Sequence, residues 1–236
     1  MDQLLLGKRI LLTGASRGIG RASAELLLRH GAQLLGVAKN QERLELARQE
    51  LSELGLYQMT TLAVDLTDRS AGVQIGERLV RDWSGVDIVI FNAGVQYNQG
   101  DIMSEPEGML EASLEENLLS PFRLARELLP LLLKSTQPRL VNVSSGAGTL
   151  EALREPNIAS YRLSKWALNG LTLLQAQQFK GRVHISAFDP GWIKTDLGGP
   201  NAPGTPEEAA QGLLSTLLLP WENSGGFYKD GQNIPW

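Results

Sequence analysis

The chain has 236 residues, carries a formal net charge of −4 and contains no cysteine. Its length suits one α/β domain with a substantial core, and its acidity excludes nucleic-acid binders, which need a cationic face. Without cysteine there are no disulfides, thiolate metal sites or cysteine nucleophiles.

From the N-terminus, the short apolar run Leu4-Leu5-Leu6 is cut off by Gly7-Lys8-Arg9, which does not fit a cleavable signal segment. Apolar strand-like runs then alternate with amphipathic helical stretches. Strands are expected at 9–13, 33–38, 60–64, 86–91, 139–143, 183–188 and 226–228. Helices are expected at 18–30, 41–54, 70–83, 103–134, 160–180 and 206–218, with a break in the long fourth span around 105–108. That alternation predicts a parallel sheet covered on both faces. The stretch 128–133 contains Pro130 and is too short to cross a bilayer, so a cytoplasmic protein with no membrane partner is expected. No repeat, linker or composition shift divides the chain, which reads as a single domain over 1–236. One irregular stretch, 191–205, holds Gly198, Gly199, Pro200, Pro203 and Gly204. It follows a strand end where α/β proteins bind ligands, so it reads as a substrate lid.

Between the first strand and first helix lies Thr13-Gly-Ala-Ser-Arg-Gly-Ile-Gly20. Gly14 permits the tight turn, while Gly18 and Gly20 let the backbone approach a pyrophosphate that the helix N-terminus faces. Such turns also occur without a ligand, so the spacing gains weight only from its context. The second strand ends in Val37-Ala38-Lys39. A carboxylate at that tip would take the 2′-hydroxyl of an NAD ribose, and Ala38 cannot. Lys39, with Arg17 in the glycine turn, can pair with a 2′-phosphate, so NADP(H) is favoured over NAD(H).

Downstream, Tyr161 and Lys165 stand four residues apart on an expected helix, which brings phenol and ammonium to one face. A free phenol has a pKa of about 10, and a nearby cation should lower it toward useful acid–base chemistry. Beside a dinucleotide, the pair points to hydride transfer with proton transfer. A lone Tyr/Lys pair at this spacing is more often a surface pair, so its weight comes from the other segments.

Together these segments resemble the short-chain dehydrogenase/reductase family over nearly the whole chain. Thr13–Gly20, with Ser16, Arg17 and Ile19 inside it, is similar to the TGxxxGIG cofactor motif. Asp65-Leu66 resembles the pair against the adenine, and Asn92-Ala93-Gly94 the NAG sequence after the fourth strand. Asn117 matches the helix asparagine, Val141–Ser145 the strand ending in the active serine, and Tyr161 with Lys165 the YxxxK pair. Pro190-Gly191, Ile193 and Thr195 resemble the PGxxxT segment that holds the nicotinamide, and the run through Asp196 is similar to the carbonyl-reductase branch.

The resemblance implies a Rossmann fold with a doubly wound, seven-stranded parallel sheet in the order 3-2-1-4-5-6-7. It also implies roles. Tyr161 gives the proton to a developing alkoxide, Lys165 lowers the phenol pKa and holds the nicotinamide ribose, and Ser145 hydrogen-bonds the carbonyl oxygen. Asn117 holds a water linking Lys165 to solvent. Between Ser144 and Ser145 the family analogy selects Ser145, and strand alternation lets only one of the two face the ligand. Ser120 departs from a common family glycine, and the span from Ser145 to Tyr161 is slightly long.

Trp192 and Leu197 either line the substrate pocket or pack against the sheet edge. His30 before Gly31 reads as a helix end and His184 as a packed strand residue. No histidine–carboxylate spacing suggests a metal, and a Ser145–His184–Asp189 hydrolase lacks the GxSxG elbow. Trp166, Ala167, Gly170, Leu171 and Leu174 form a helical face suited to a homodimer or homotetramer, although core burial explains it as well. Residues 232–236 either cover a neighbouring subunit or close the domain. The expected protein is an NADP(H)-dependent oxidoreductase interconverting a small ketone or aldehyde and its alcohol. The alternative is a regulator that senses NADPH without turnover, which has no use for the full Asn117, Ser145, Tyr161 and Lys165 set.

Overall fold

The computed structural model describes residues 3–97 and 100–236. Its strands are β1 (Arg9–Thr13), β2 (Gln33–Ala38), β3 (Met59–Ala63), β4 (Ile88–Phe91), β5 (Arg139–Val143), β6 (His184–Phe188), β7 (Phe227–Lys229) and β8 (Gln232–Ile234). They form one sheet in the order β3-β2-β1-β4-β5-β6-β7-β8. Strands β1 to β7 are parallel. The central strands β1 and β4 carry the apolar runs Ile10–Leu12 and Ile88–Phe91 because both sheet faces are covered. Neighbouring residues divide between two cores: Ile10 and Leu12 pack with Leu27, Leu34 and Leu213, while Leu11 packs with Ile75, Leu79, Leu124 and Leu128.

The helices are α1 (Gly18–Arg29), α2 (Gln41–Glu53), α3 (Ala71–Trp83), α4 (Met109–Leu114), α5 (Ser120–Leu132), α6 (Ala159–Gln178) and α7 (Pro206–Leu217). Helix α1 ends as expected: the Gly31 N–H reaches the Leu28 carbonyl and the Ala32 N–H the Leu27 carbonyl, with Gly31 at φ 86°. Strand order reverses between β1 and β4, which opens a crevice at their C-terminal ends.

Three expectations need correction. The sheet has an eighth strand, β8, antiparallel to β7 and joined to it through Asp230-Gly231. Both turn residues have positive φ, 50° and 74°, the geometry that an Asp-Gly hairpin turn requires. The fourth helical span does not begin near Met103. Gly108 at φ 81° precedes α4, and a π turn over Glu115–Leu119 joins α4 to α5. In that turn the Ser120 N–H bonds the Glu115 carbonyl five residues back and its Oγ donates to the same oxygen at 2.9 Å. Finally, the apolar face of α6 splits: Leu171 is buried, whereas Trp166, Gly170 and Leu174 are exposed.

Candidate active site

The glycine turn packs directly on the start of α1. A Cβ on Gly20 would lie 2.0 Å from the Gly14 carbonyl oxygen and 2.7 Å from Asn92 Nδ2, so backbone fills the space a side chain would need. Arg17 at the N-cap supplies no side-chain hydrogen bond and the first turn holds no acid. The leading amides therefore keep a positive field directed at the crevice. Thr13 fixes the neighbouring loop: its Oγ1 accepts the N–H groups of Asn92 at 3.0 Å and Ala93 at 3.1 Å, and Asn92 Nδ2 donates to the Thr13 carbonyl at 2.8 Å. Thr195 closes the other side, its Cγ2 lying 3.0 Å from where a Gly18 Cβ would be.

At the outer end both expected phosphate-binding cations already have carboxylate partners. Lys39 Nζ lies 2.7 Å from Asp65, and Arg17 pairs with Asp196. The Lys39 hydrogen bond holds the Asp65 carboxyl down at about 2, and Thr67 supports it through its N–H and hydroxyl. Lys39 and Arg17 side chains are 74% and 59% exposed. Exposed pairs of this kind hold together by only about 0–1 kcal/mol, so a dianionic phosphate can displace the carboxylates.

The catalytic candidates meet where β5, β6 and α6 converge, in a cleft of about 840 Å³ lined by Ser145, Tyr161, Lys165, Asp189, Trp192 and Leu197 among others. Helix α6 is held at its start from a distance. Ile158 takes φ 48° and its N–H reaches the Gly100 carbonyl, while the Glu105 carboxylate accepts the Ser160 N–H at 3.1 and 3.2 Å and also its hydroxyl. A carboxylate at a helix N-terminus satisfies orphan amides and complements the dipole. One turn on, Ser164 Oγ donates to the Tyr161 carbonyl and accepts from Asn117 Nδ2 at 2.9 Å. Asn117, in the π turn, also exchanges hydrogen bonds with the Val95 N–H and carbonyl, both 2.9 Å.

The two serines diverge as strand alternation requires. Ser144 is buried and donates to Asn169 Oδ1 at 2.5 Å. Ser145 lines the cleft with Tyr161, and its hydroxyl accepts the Ala147 N–H at 3.1 Å. Lys165 is buried, donates to the Val143 carbonyl at 3.0 Å and places Nζ 5.8 Å from the Tyr161 ring centroid. The expected lowering of the phenol is not what this arrangement gives. Burial pushes Tyr161 up to about 12, the Ser145 hydrogen bond opposes this and the Asp189 charge adds to it. Burial also brings Lys165 down to about 8. Desolvation disfavours both charged forms and is the largest influence on each.

The loop after β6 folds back on itself through a bridge between Ile193 and Gly204. Trp192 stays 59% exposed, lines the cleft and donates from Nε1 to the Gly198 carbonyl at 2.7 Å. His184 lies away from the cleft, edge-on to Trp221, and burial lowers it to about 4. Among the described residues no His/Cys/Asp/Glu group could hold a metal ion, and no helix is long and apolar enough to cross a membrane.

Residues 8–205 match the family model described as short chain dehydrogenase. The chain belongs to the short-chain dehydrogenase family. Among its relatives, a 3-oxoacyl-[acyl-carrier-protein] reductase of Vibrio cholerae is 32% identical over 194 residues, covering 82% of this chain and 76% of that protein. The NADPH-dependent pterin aldehyde reductase of Arabidopsis thaliana is 29% identical over 83% of this chain and 79% of its own length. The carbonyl reductase Sniffer of D. melanogaster superposes with a TM-score of 0.88 at 26% identity, covering 98% of this chain and 100% of that one. The NADPH-bound carbonyl reductase from chicken fatty liver does so with 0.87 at 28% identity, again over 98% and 100%.

Within this short-chain dehydrogenase, sequence reasoning passed over Glu105, Ser164 and the cleft position of Asp189. Glu105 and Ser160 are 55 residues apart, and no local pattern announces that contact. The Asp189 signal was available: an acid placed one residue beyond a buried strand, immediately before Pro190-Gly191.

Proposed function

We propose that the chain is an NADP(H)-dependent reductase of ketones or aldehydes, able to run in reverse as an alcohol dehydrogenase. The observation carrying this reading is the convergence of Ser145, Tyr161 and Lys165 on one cleft beside an uncapped helix N-terminus. An NADPH-bound carbonyl reductase with the same architecture supports the cofactor assignment. The backbone cradle fits a dinucleotide: Gly14 to Gly20, with Ser16 and Ile19, would hold the pyrophosphate, and Arg17 and Lys39 the 2′-phosphate. Asp65 and Leu66 would flank the adenine, and Asn92, Ala93 and Gly94 the ribose side. Pro190, Gly191, Ile193 and Thr195 would hold the nicotinamide end.

The bound cofactor supplies or accepts the hydride. Tyr161, whose phenol holds its proton at neutral pH, gives that proton to the carbonyl oxygen as negative charge develops there. Ser145 Oγ donates a hydrogen bond to the same oxygen and stabilises it. Lys165 adds positive charge behind the phenol. Asn117 acts as a positioning residue: its amide is committed to Val95 and Ser164, which ties the loop after β4 to the carbonyl of Tyr161. The 191–205 loop, with Trp192 and Leu197, forms the substrate-side wall and lid. The exposed Trp166 and Leu174 face of α6 provides a subunit contact for a homodimer or homotetramer.

Tyr161→Phe is the decisive test. NADPH oxidation over a panel of ketones, aldehydes, quinones and acyl-thioesters should fall by about 100-fold or more, the scale of a lost general acid. NADPH binding, followed by nucleotide fluorescence, should persist. If the wild type consumes no NADPH on any member, the non-catalytic sensor takes the place of the reductase.

A further inference from the structure

Strand β6 delivers Asp189 to the cleft floor immediately after Phe188. The side chain is 6% exposed, yet it forms no ion pair among the described residues. Its Oδ1 accepts the Gly191 N–H at 3.0 Å, closing a local turn that asparagine would close equally well. That contact explains an acceptor here, not a negative charge. The second oxygen, Oδ2, faces the turn after β5: a Cβ on Gly146 would lie 3.0 Å from it. Gly146 adjoins Ser145, which lines the cleft with Tyr161. Lys229 sits against Gly191, its Nζ 3.5 Å from where a Cβ there would be, and makes no ion pair with Asp189. Oδ2 is not among the fully buried, unpartnered polar atoms, so it reaches solvent in the cleft and can take a donor that enters there.

We propose that Asp189 sets substrate specificity in the reductase reaction proposed above: it accepts a hydrogen bond from a hydroxyl on the carbon next to the reacting carbonyl and repels a carboxylate at that position. The inference rests on that reading, in which Ser145 and Tyr161 hold the carbonyl oxygen, so the α-substituent falls beside Gly146 and Asp189. The favoured substrate class is α-hydroxy ketones and aldehydes. The raised phenol of Tyr161 is consistent with the same negative charge acting across the cleft.

The test uses four matched ketones: 2-hydroxy-1-phenylethanone, its methyl ether, propiophenone and phenylglyoxylate. Wild-type kcat/KM should favour the hydroxy ketone over its methyl ether and over propiophenone by about tenfold or more, the size of one hydrogen bond to a charged group. Phenylglyoxylate should be the poorest. Asp189→Asn keeps the acceptor for Gly191 and turns an amide donor toward the substrate. It should bring the hydroxy ketone and its methyl ether level, since either oxygen can accept from that amide, and raise phenylglyoxylate by about tenfold relative to propiophenone. Equal wild-type rates with hydroxy ketone, ether and propiophenone would overturn the proposal even if the variant fails to fold. An Asp189→Asn protein that keeps the wild-type ratios among the four would overturn it too, since a change shared by all substrates reflects the turn or the phenol and not selection at the neighbouring carbon. Absence of NADPH oxidation with every carbonyl, on this panel and the broader one, removes the reductase reading itself.

Discussion

Replacing Lys165 by methionine should stabilise the protein at neutral pH while removing its activity. Burial of the ammonium draws its pKa from 10.5 to about 8. At about 1.4 kcal/mol per tenfold change in proton affinity, holding that amine charged near pH 7 costs the folded state roughly 3 kcal/mol relative to the unfolded chain. Lys165 is only 4% exposed, so solvent screening does not erase this penalty. Methionine fills the space of the aliphatic stem without a charge. It also leaves the Val143 carbonyl without the donor now 3.0 Å away, returning about 1 kcal/mol. The net gain is about 2 kcal/mol. Because the folded-state pKa lies below the unfolded one, the unfolded chain binds more protons between the two values. Wild-type stability should therefore rise with pH from about 8 toward 10.5. Tyr161 acts from about pH 10 upward: its phenol, at about 12 instead of 10, keeps its proton longer when folded, which lowers stability as pH rises and cuts into the top of that gain. Urea unfolding near pH 7 and at about pH 9.5 isolates the lysine, with an expected wild-type rise of about 2 kcal/mol and none in the variant. A Lys165→Met protein less stable than wild type near pH 7, with the wild-type pH slope intact, would refute burial as the source of the shift.

Two further substitutions probe the cofactor cradle. Gly20→Ala forces a methyl against the Gly14 carbonyl, 2.0 Å away, and no side chain can move to relieve that contact. It should cost about 2–3 kcal/mol in thermal unfolding and raise the NADPH dissociation constant by about tenfold or more; a fluorescence titration matching wild type would contradict a backbone-lined site. Arg17→Ala combined with Lys39→Ala should weaken NADPH by about tenfold or more and leave NADH nearly unchanged, with little effect on melting because both are exposed surface pairs. Equal weakening of the two nucleotides would remove the 2′-phosphate assignment.

What could be read in the sequence was whatever local chemistry encodes. The strands β1, β2 and β5 follow from short, mainly apolar runs, and the end of α1 from His30-Gly31, because each depends on neighbours within a few residues. The β7–β8 hairpin was equally legible in Asp230-Gly231, whose left-handed geometry is a strong short-range turn signal. It was missed because β8, Gln232–Ile234, is a short edge strand with little apolar patterning. The start of α4 could not be placed the same way, since the 103–108 segment is shaped by Gly108 and by contacts reaching α6. The motif residues gather as their order suggested, yet their electrostatics did not follow from spacing. Four residues on a helix put Lys165 near Tyr161, but only the surrounding burial shows that desolvation disfavours both charged forms.

The long-range contacts account for the precision that spacing alone cannot supply. Tyr161 stands in the first turn of α6, the part of a helix most prone to fray because its amides lack internal partners. Left to itself, that turn would let the phenol wander. Glu105 caps it from a loop before α4, and Asn117 reaches it from the π turn through Ser164, which holds the Tyr161 carbonyl. The π turn is part of this arrangement, since Ser120 secures it by bonding the Glu115 carbonyl twice and Asn117 lies at its centre. Two separate elements thus restrain the helical turn that carries the proposed acid. A hydroxyl meant to deliver a proton must sit within hydrogen-bond reach of its acceptor, and small misplacements there are costly. The polar residues spent on these contacts are therefore best understood as positioning machinery for Tyr161.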